Sequence, residues 1–195
     1  MNTKILKNAV IVLITATLFS FDIPNGWHKA GSSPECYDMG LDKGAGPDGK
    51  NAATIKSISK KTKGGFGTLM QSCNAQKYLG KRVKMTGYVK TEDVKGWAGL
   101  WLRVDEAAYG SKPLGFDNMG DRPIKKTTDW KKYEIIMDVP ANASNLAYGS
   151  LLVGQGQVWF SNINFEIVDA SIPITNKDCN VCSDILSEPT NLNFD

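Results

Sequence analysis

Gly96-Trp97-Ala98-Gly99-Leu100-Trp101-Leu102-Arg103-Val104-Asp105 reads as an extended strand with two unlike faces. Successive side chains of a strand point to opposite sides. Ala98, Leu100, Leu102 and Val104 therefore form one aliphatic row suited to a core, and Trp97, Gly99, Trp101, Arg103 and Asp105 share the other side. The indoles of Trp97 and Trp101 are four residues, about 13 Å, apart along such a strand, with no side chain at Gly99 between them. That second face reads in two ways. It is either the floor of a groove, or a second core in which Arg103 and Asp105 pair.

The segments on either side repeat the two-residue period. In 82–90, Val83, Met85, Gly87 and Val89 face in, while Arg82, Lys84, Thr86, Tyr88 and Lys90 face out, the pattern of a half-buried antiparallel strand. Segments 36–42, 52–58, 65–71, 130–139, 146–153 and 157–168 read as further strands, and Phe21-Asp22 with Gly26-Trp27-His28 as a first short one. Thr91 to Lys95 reads as a turn, and 106–128 as a long irregular connection whose Phe116-Asp117-Asn118-Met119-Gly120 piece would rim the groove. Nowhere do apolar residues recur at three and four over a dozen positions, so no long amphipathic helix is expected. Eight to ten short strands at this spacing point to an all-β antiparallel sandwich or barrel.

The ends of the 195-residue chain differ in kind from its middle. Lys4 and Lys7 followed by the apolar run 9–19 have the order and length of a secretory signal peptide over 1–20. This eleven-residue run falls short of the ~20 that a spanning helix needs, so the mature chain is expected to lie outside the cytoplasm, secreted or periplasmic, with no membrane span. Without Lys4 and Lys7 the chain carries 21 basic residues against 20 acidic ones, a balance that gives no electrostatic case for nucleic acid. One domain is expected over 21–169, then an irregular tail, 170–195, that holds Cys179 and Cys182 and ends in a strand docked on the sandwich edge. In an exported chain Cys36, Cys73, Cys179 and Cys182 are disulfide candidates, with three pairings open. Zinc or redox use of Cys179-Asn-Val-Cys182 is discounted, because the single histidine, His28, is distant and no βαβ setting is present.

Several stretches together resemble a bacterial module with a galactose-binding-domain-like jelly-roll fold, related to carbohydrate-binding modules. They are Phe21-Asp22 with Gly26-Trp27, Gly65 to Gln71, Gly80-Lys-Arg82, Gly96 to Asp105, Phe116 to Met119, Thr128-Asp-Trp130, and Gly154 to Val168. The module is similar to one appended to some AraC-type transcription regulators and found in stand-alone exported proteins. The resemblance implies a jelly-roll β-sandwich and a sugar-binding role. Ser161-Asn162 stands where related jelly rolls often carry an aspartate, so no cofactor is expected; Asp22 and Asp169 are the residues that could supply oxygens to a structural calcium.

For sugar binding the chemistry is direct: an indole face stacks on the apolar face of a pyranose while planar charged groups bond its hydroxyls. Trp97 and Trp101 would be the platforms, Arg103 and Asp105 the orienting groups, and Asp117 and Asn118 the rim. Trp130 and Trp159 read as packing residues and His28 as a surface residue. No Gly-x-Ser-x-Gly elbow is present, and Gly64-Gly-Phe-Gly67 is not followed by a helix, so neither a hydrolase nucleophile nor a phosphate cradle is indicated. The leading expectation is a non-catalytic module that binds a carbohydrate or similar small ligand. The alternatives are an interaction sandwich with a protein partner and no small ligand, or a weak sugar-active hydrolase or lyase, for which two facing carboxylates would be needed.

Overall fold

The strand that contains the quoted stretch, β5 (Lys81–Glu106), runs for 26 residues and would be about 85 Å long if straight. It folds back on itself instead: a Cβ placed on Gly87 would lie 3.2 Å from Leu100 Cδ1, so the two halves of the strand face each other. The bend falls where Asp93 adopts φ 50° and where the register with the neighbouring strand slips three times between Val89 and Ala98. Thr91 to Lys95, expected as a turn, is this bend. Both sheets are thereby stitched by one strand.

The computed structural model describes residues 20–59, 64–107 and 112–176. Its other strands are β1 (His28–Gly31), β2 (Tyr37–Asp42), β3 (Ala52–Ser57), β4 (Phe66–Asn74), β6 (Gly115–Asp117), β7 (Ile124–Val139), β8 (Ala143–Val153) and β9 (Gln157–Val168). One sheet runs β1-β4-β8 to the second half of β5, with β6 on its edge; the other runs β2-β3-β9 to the first half of β5 and then β7. Every pairing is antiparallel. Among the described residues the helical pieces are three short 3-10 turns, and no helix is long and apolar enough to cross a membrane. The chain is an all-β sandwich.

The alternation explains the core. Val83, Met85 and Val89 from one half of β5 meet Leu100, Leu102 and Val104 from the other, joined by Leu69, Ile135, Leu152 and Phe160, all at 0–1% exposure. Burying each such side chain is worth about 1.5–3 kcal/mol. Glycine is required where the layers touch most closely. A Cβ on Gly67 of β4 would come within 2.6 Å of the Tyr37 ring on β2.

Three expectations are modified by the structure. The first strand begins at His28, not Phe21, because a turn closed by Trp27 N–H to the Pro24 carbonyl (3.0 Å) intervenes; Asp22 makes one bridge, to Leu41. That crossing needs Gly40, whose Cβ would sit 2.4 Å from the Asp22 carbonyl oxygen. The connection 106–128 contains β6 and the start of β7. Residues 170–176 dock closely: Arg82 Nη1 donates to the carbonyls of Ala170 (2.5 Å) and Ile172 (2.6 Å), and Thr175 N–H to that of Ile136 (3.0 Å).

Among the described residues Cys36 and Cys73 are free thiols. Cys36 adjoins Tyr37 at the Gly67 end of β4, and Cys73 is six residues further on, roughly 20 Å along a strand and beyond the ~7 Å that a disulfide spans. Burial pushes the Cys73 thiol up. Cys179, Cys182, the expected final strand and residues 1–19 of the expected leader lie outside the described residues.

Candidate functional site

Residues directly opposed on neighbouring strands point to the same side of a sheet. Outside the core, the β1-β4-β8-β5 sheet therefore presents four successive cross-strand rows. They are Phe66-Val153-Trp97, then Ala30-Thr68-Leu151-Gly99, then His28-Met70-Gly149-Trp101, then Ser72-Ala147-Arg103-Phe116. Trp97, Trp101 and Arg103 thus share one face, as the alternation of the quoted stretch requires. These rows build a groove of about 460 Å³ whose lining includes Trp97, Trp101, Arg103, Phe116 and Asn118, a size within the range of small-ligand sites.

The two tryptophans play different parts. Trp101 is only 6% exposed, in an apolar cluster with Ala147 and Leu151 that is separate from the main core. Its Nε1 donates to Thr68 Oγ1 (2.8 Å), and the Thr68 hydroxyl in turn donates to the Ser150 carbonyl (2.7 Å). A buried indole N–H left without an acceptor would be costly, so this chain of bonds locks the groove floor. Trp97 is half-buried at one end, and Phe116 is 37% exposed with its ring 6.4 Å from that of Trp101. The groove and second-core readings therefore each hold for part of the face: Trp101 is packed floor, and Trp97 and Phe116 are accessible walls.

Gly99 is not an open gap between the indoles. A Cβ there would lie 3.0 Å from the Asn118 carbonyl oxygen and 3.2 Å from Met119 Cβ. The glycine admits the 118–119 backbone, with Met119 at φ 61°, and so brings Asn118 to the lining. The Asn118 side-chain oxygen accepts Gly120 N–H (3.0 Å).

Arg103 stands at the other end from Trp97. Its Nη2 donates to Asp105 Oδ2 (3.1 Å), and that oxygen also accepts Asn145 Nδ2 (3.1 Å). Nε is 2.8 Å from Asp105 Oδ1, but no acceptor lies in line with its buried N–H, so this contact counts as charge attraction and not as a hydrogen bond. Asp105 holds the guanidinium from behind and is not part of the lining.

Asp117 faces inward, opposite Leu102, at 1% exposure. Its carboxylate accepts Arg122 Nη2 (2.8 Å), Met119 N–H (2.8 Å) and the Thr175 hydroxyl (2.6 Å). Burial alone would lower Arg122, but Asp117 and then Asp121 outweigh it and hold the guanidinium above its ordinary value. The structure thus separates two neighbours that the sequence grouped together: Asn118 lines the groove, and Asp117 latches β6 to the segment at Thr175. Asp22 and Asp169 are likewise kept apart. Leu41, Ala53 and Phe160 lie in one row, and Asp169 follows Phe160 by nine residues, about 30 Å along the strand. Asp169 accepts Ser171 N–H (2.8 Å), and bonds from the Ser171 side chain and backbone hold its carboxyl below the usual range.

His28 is exposed at the groove's far edge and Trp130 is half-buried. Phe66, Thr68, Met70, Leu151 and Val153 line the groove although the sequence reading did not single them out. For Phe66-x-Thr68-x-Met70 the alternation was visible. In Leu151-Leu152-Val153 both faces are apolar, so periodicity could not separate the groove side from the core side.

No family model matches the chain. The uncharacterized HTH-type transcriptional regulator YbfP of Bacillus subtilis (strain 168) is 42% identical over 170 residues, which cover 87% of this chain and 56% of that protein. The chain thus spans little more than half the length of that curated relative. Among solved structures, the CBM22-1 xylan-binding domain of Paenibacillus barcinonensis Xyn10C superposes with a TM-score of 0.52 at 16% identity, covering 76% of this chain and 89% of that one. The CBM22-1 and GH10 modules of a Clostridium thermocellum xylanase give 0.53 at 11% identity, over 74% of this chain and 26% of that one. The enzymatically active domain of bacteriophage CBA120 tailspike protein 4 gives 0.54 at 11% identity, over 74% and 20%. At such identities the likeness is one of fold, and the chain has the jelly-roll sandwich that carbohydrate-binding modules share, as the resemblance implied.

Proposed function

We propose that this chain is a non-catalytic binding module for a carbohydrate, working outside the cytoplasm, with its ligand in the groove of the β1-β4-β8-β5 sheet. The observation that carries the reading is the groove itself: about 460 Å³, with Trp97, Trp101 and Phe116 around it and Arg103 at one end. Aromatic walls meet the apolar faces of sugar rings, and a guanidinium meets their oxygens. The lining has no aspartate or glutamate, so the facing carboxylates that glycoside hydrolysis requires are not supplied from the groove walls.

A glycan-array screen of the chain from Phe21, followed by Trp97→Ala on any hit, tests the reading. A saturable hit that shifts tryptophan emission and is lost in Trp97→Ala, with the melting temperature retained, supports it. Silence across the array together with capture of a defined protein partner replaces it with the interaction-sandwich reading. The 42% identity to an HTH-type regulator favours a second use of the same groove, as the effector-sensing unit of a longer protein. The two uses share the ligand chemistry and differ in what the module is joined to.

A further inference from the structure

The hydrogen-bonding inventory of the groove narrows its ligand class. Carbohydrate hydroxyls need many polar partners, since each one desolvated without a partner opposes binding. This groove offers few. Of its twelve lining residues, the polar side chains other than the indoles are Thr68, Arg103 and Asn118. The Thr68 hydroxyl already donates to the Ser150 carbonyl and accepts Trp101 Nε1, and the residue is 4% exposed. Asn118 has given its oxygen to Gly120 N–H. Trp101 Nε1 is taken. What remains is the amide nitrogen of Asn118, the Nη1 edge of Arg103 and the Trp97 indole N–H.

These groups are also placed unevenly. Arg103 lies opposite Phe116 at one end, and Asn118, whose backbone lies against Gly99, stands partway toward Trp97. Six residues back along β5, about 20 Å, the Phe66-Val153-Trp97 row is wholly apolar apart from the indole N–H. The polar end is positively charged toward the groove. In the Arg103–Asp105 pair the arginine side chain is 42% exposed and the aspartate side chain 23% exposed, and Asp105 is shared with Asn145 on the side away from the lining. Asp105 accepts Nη2 and attracts the Nε side by charge, which holds the plane of the fork and leaves Nη1 for an acceptor. A fixed guanidinium edge with a rear counter-charge suits an anionic oxygen better than a neutral hydroxyl.

We infer that the groove takes an acidic sugar bearing an extended apolar substituent, with the acid on Arg103 and the substituent reaching Trp97, Phe66 and Val153, in preference to a neutral polysaccharide. This rests on the reading of the groove as the sugar site, and the test separates the two. Isothermal titration would compare octyl β-D-glucuronide with octyl β-D-glucoside, which differ only at the C6 carboxylate and whose chain is long enough to reach the apolar row, and would include free glucuronic acid and xylohexaose. The expected order is octyl glucuronide first, about tenfold or more tighter than octyl glucoside, with glucuronic acid and xylohexaose weaker than both.

Arg103→Gln is expected to erase the glucuronide preference while octyl glucoside binding persists. Trp97→Ala is expected to erase the advantage of the octyl chain while the acid preference persists. A thermal melt of each variant shows whether it is folded. Equal binding of the two octyl glycosides, or tightest binding by xylohexaose, overturns the inference and leaves the sugar-groove reading standing. A failure of every probe, together with a silent glycan array, overturns both.

Discussion

Trp101 and Trp159 occupy the same kind of position on the outer faces of the two sheets. They are 6% and 9% exposed, and each indole N–H is bonded to a side-chain oxygen, Thr68 at 2.8 Å for Trp101 and Asp42 at 2.7 Å for Trp159. Their surroundings differ. Around Trp101 stand Phe66, Met70, Ala147 and Leu151, with a cavity above them. Trp159 lies opposite Thr54 and Lys90, and the Lys90 ammonium is 5.5 Å from its ring centroid. Burial of an indole does not distinguish a ligand floor from a packed surface. The chemistry of the next ring of side chains does.

The sharpest way to break this equivalence is to remove each indole in turn. Trp101→Ala and Trp159→Ala are each expected to cost about 3–5 kcal/mol, measured by urea denaturation. Only Trp101→Ala should also abolish glycan binding, and loss of binding in both would mean that the groove is not the site. Next in size is the bond beneath the groove floor. Thr68→Val keeps shape and removes the hydroxyl, leaving the Trp101 N–H buried without an acceptor at about 1–3 kcal/mol. Asp42→Ala should cost less, since the Asp42 side is open enough for water to replace the carboxylate. Equal losses would show that water reaches the groove floor as well.

Alkali should act on both faces together. Burial raises Tyr37, Tyr133, Tyr148 and the Cys73 thiol above their ordinary values. The fold favours the protonated forms, so stability is complete below the unfolded values, about 8.5 for cysteine and about 10 for tyrosine, and is lost as pH climbs through the raised folded ones. The melting temperature is expected to be level near neutrality and to fall above about pH 9–10. Tyr148, whose hydroxyl donates to Gln71, also packs by its ring against Trp27 and Phe165, so Tyr148→Phe should flatten the fall. A fall that Tyr148→Phe leaves unchanged would assign it to the other groups.

Much of this was legible because β-structure writes its faces with a period of two. The quoted stretch placed Ala98, Leu100, Leu102 and Val104 in the core and Trp97, Trp101 and Arg103 opposite them, as the structure has them. The bend in β5 was not legible, because Thr91 to Lys95 looks equally like a turn between strands and like a strand changing sheets. The split between Asp117 and Asn118 was not legible either. It follows from a three-residue strand whose pairing with Leu102 and Arg103 decides which side chain turns inward, and three residues carry too little pattern to fix a register. Thr175, which completes the Asp117 latch, is 58 residues away in sequence.

Lys90→Met is the mildest test of the comparison between the two tryptophans. It removes the ammonium over the Trp159 ring while keeping an apolar stem of similar length. The lost cation–π contact is worth about 0.5–1 kcal/mol at an exposed site. Screening reduces it further, so the melting temperature should shift little. The informative readout is binding. If an aromatic floor alone made a sugar site, uncovering Trp159 would create a second one, and a titration of the glycan-array hit would show added stoichiometry. Thr54, Gln157 and Asp42 would still surround the ring, with the Thr54 hydroxyl held by the Val158 carbonyl (3.0 Å) and by Gln157 Nε2 (3.0 Å). The side chains around it would remain a flat bonded surface with no Phe116 counterpart to form a wall. The stoichiometry is therefore expected to stay at one site per chain, and a second site in Lys90→Met would show that walls matter less than the indole.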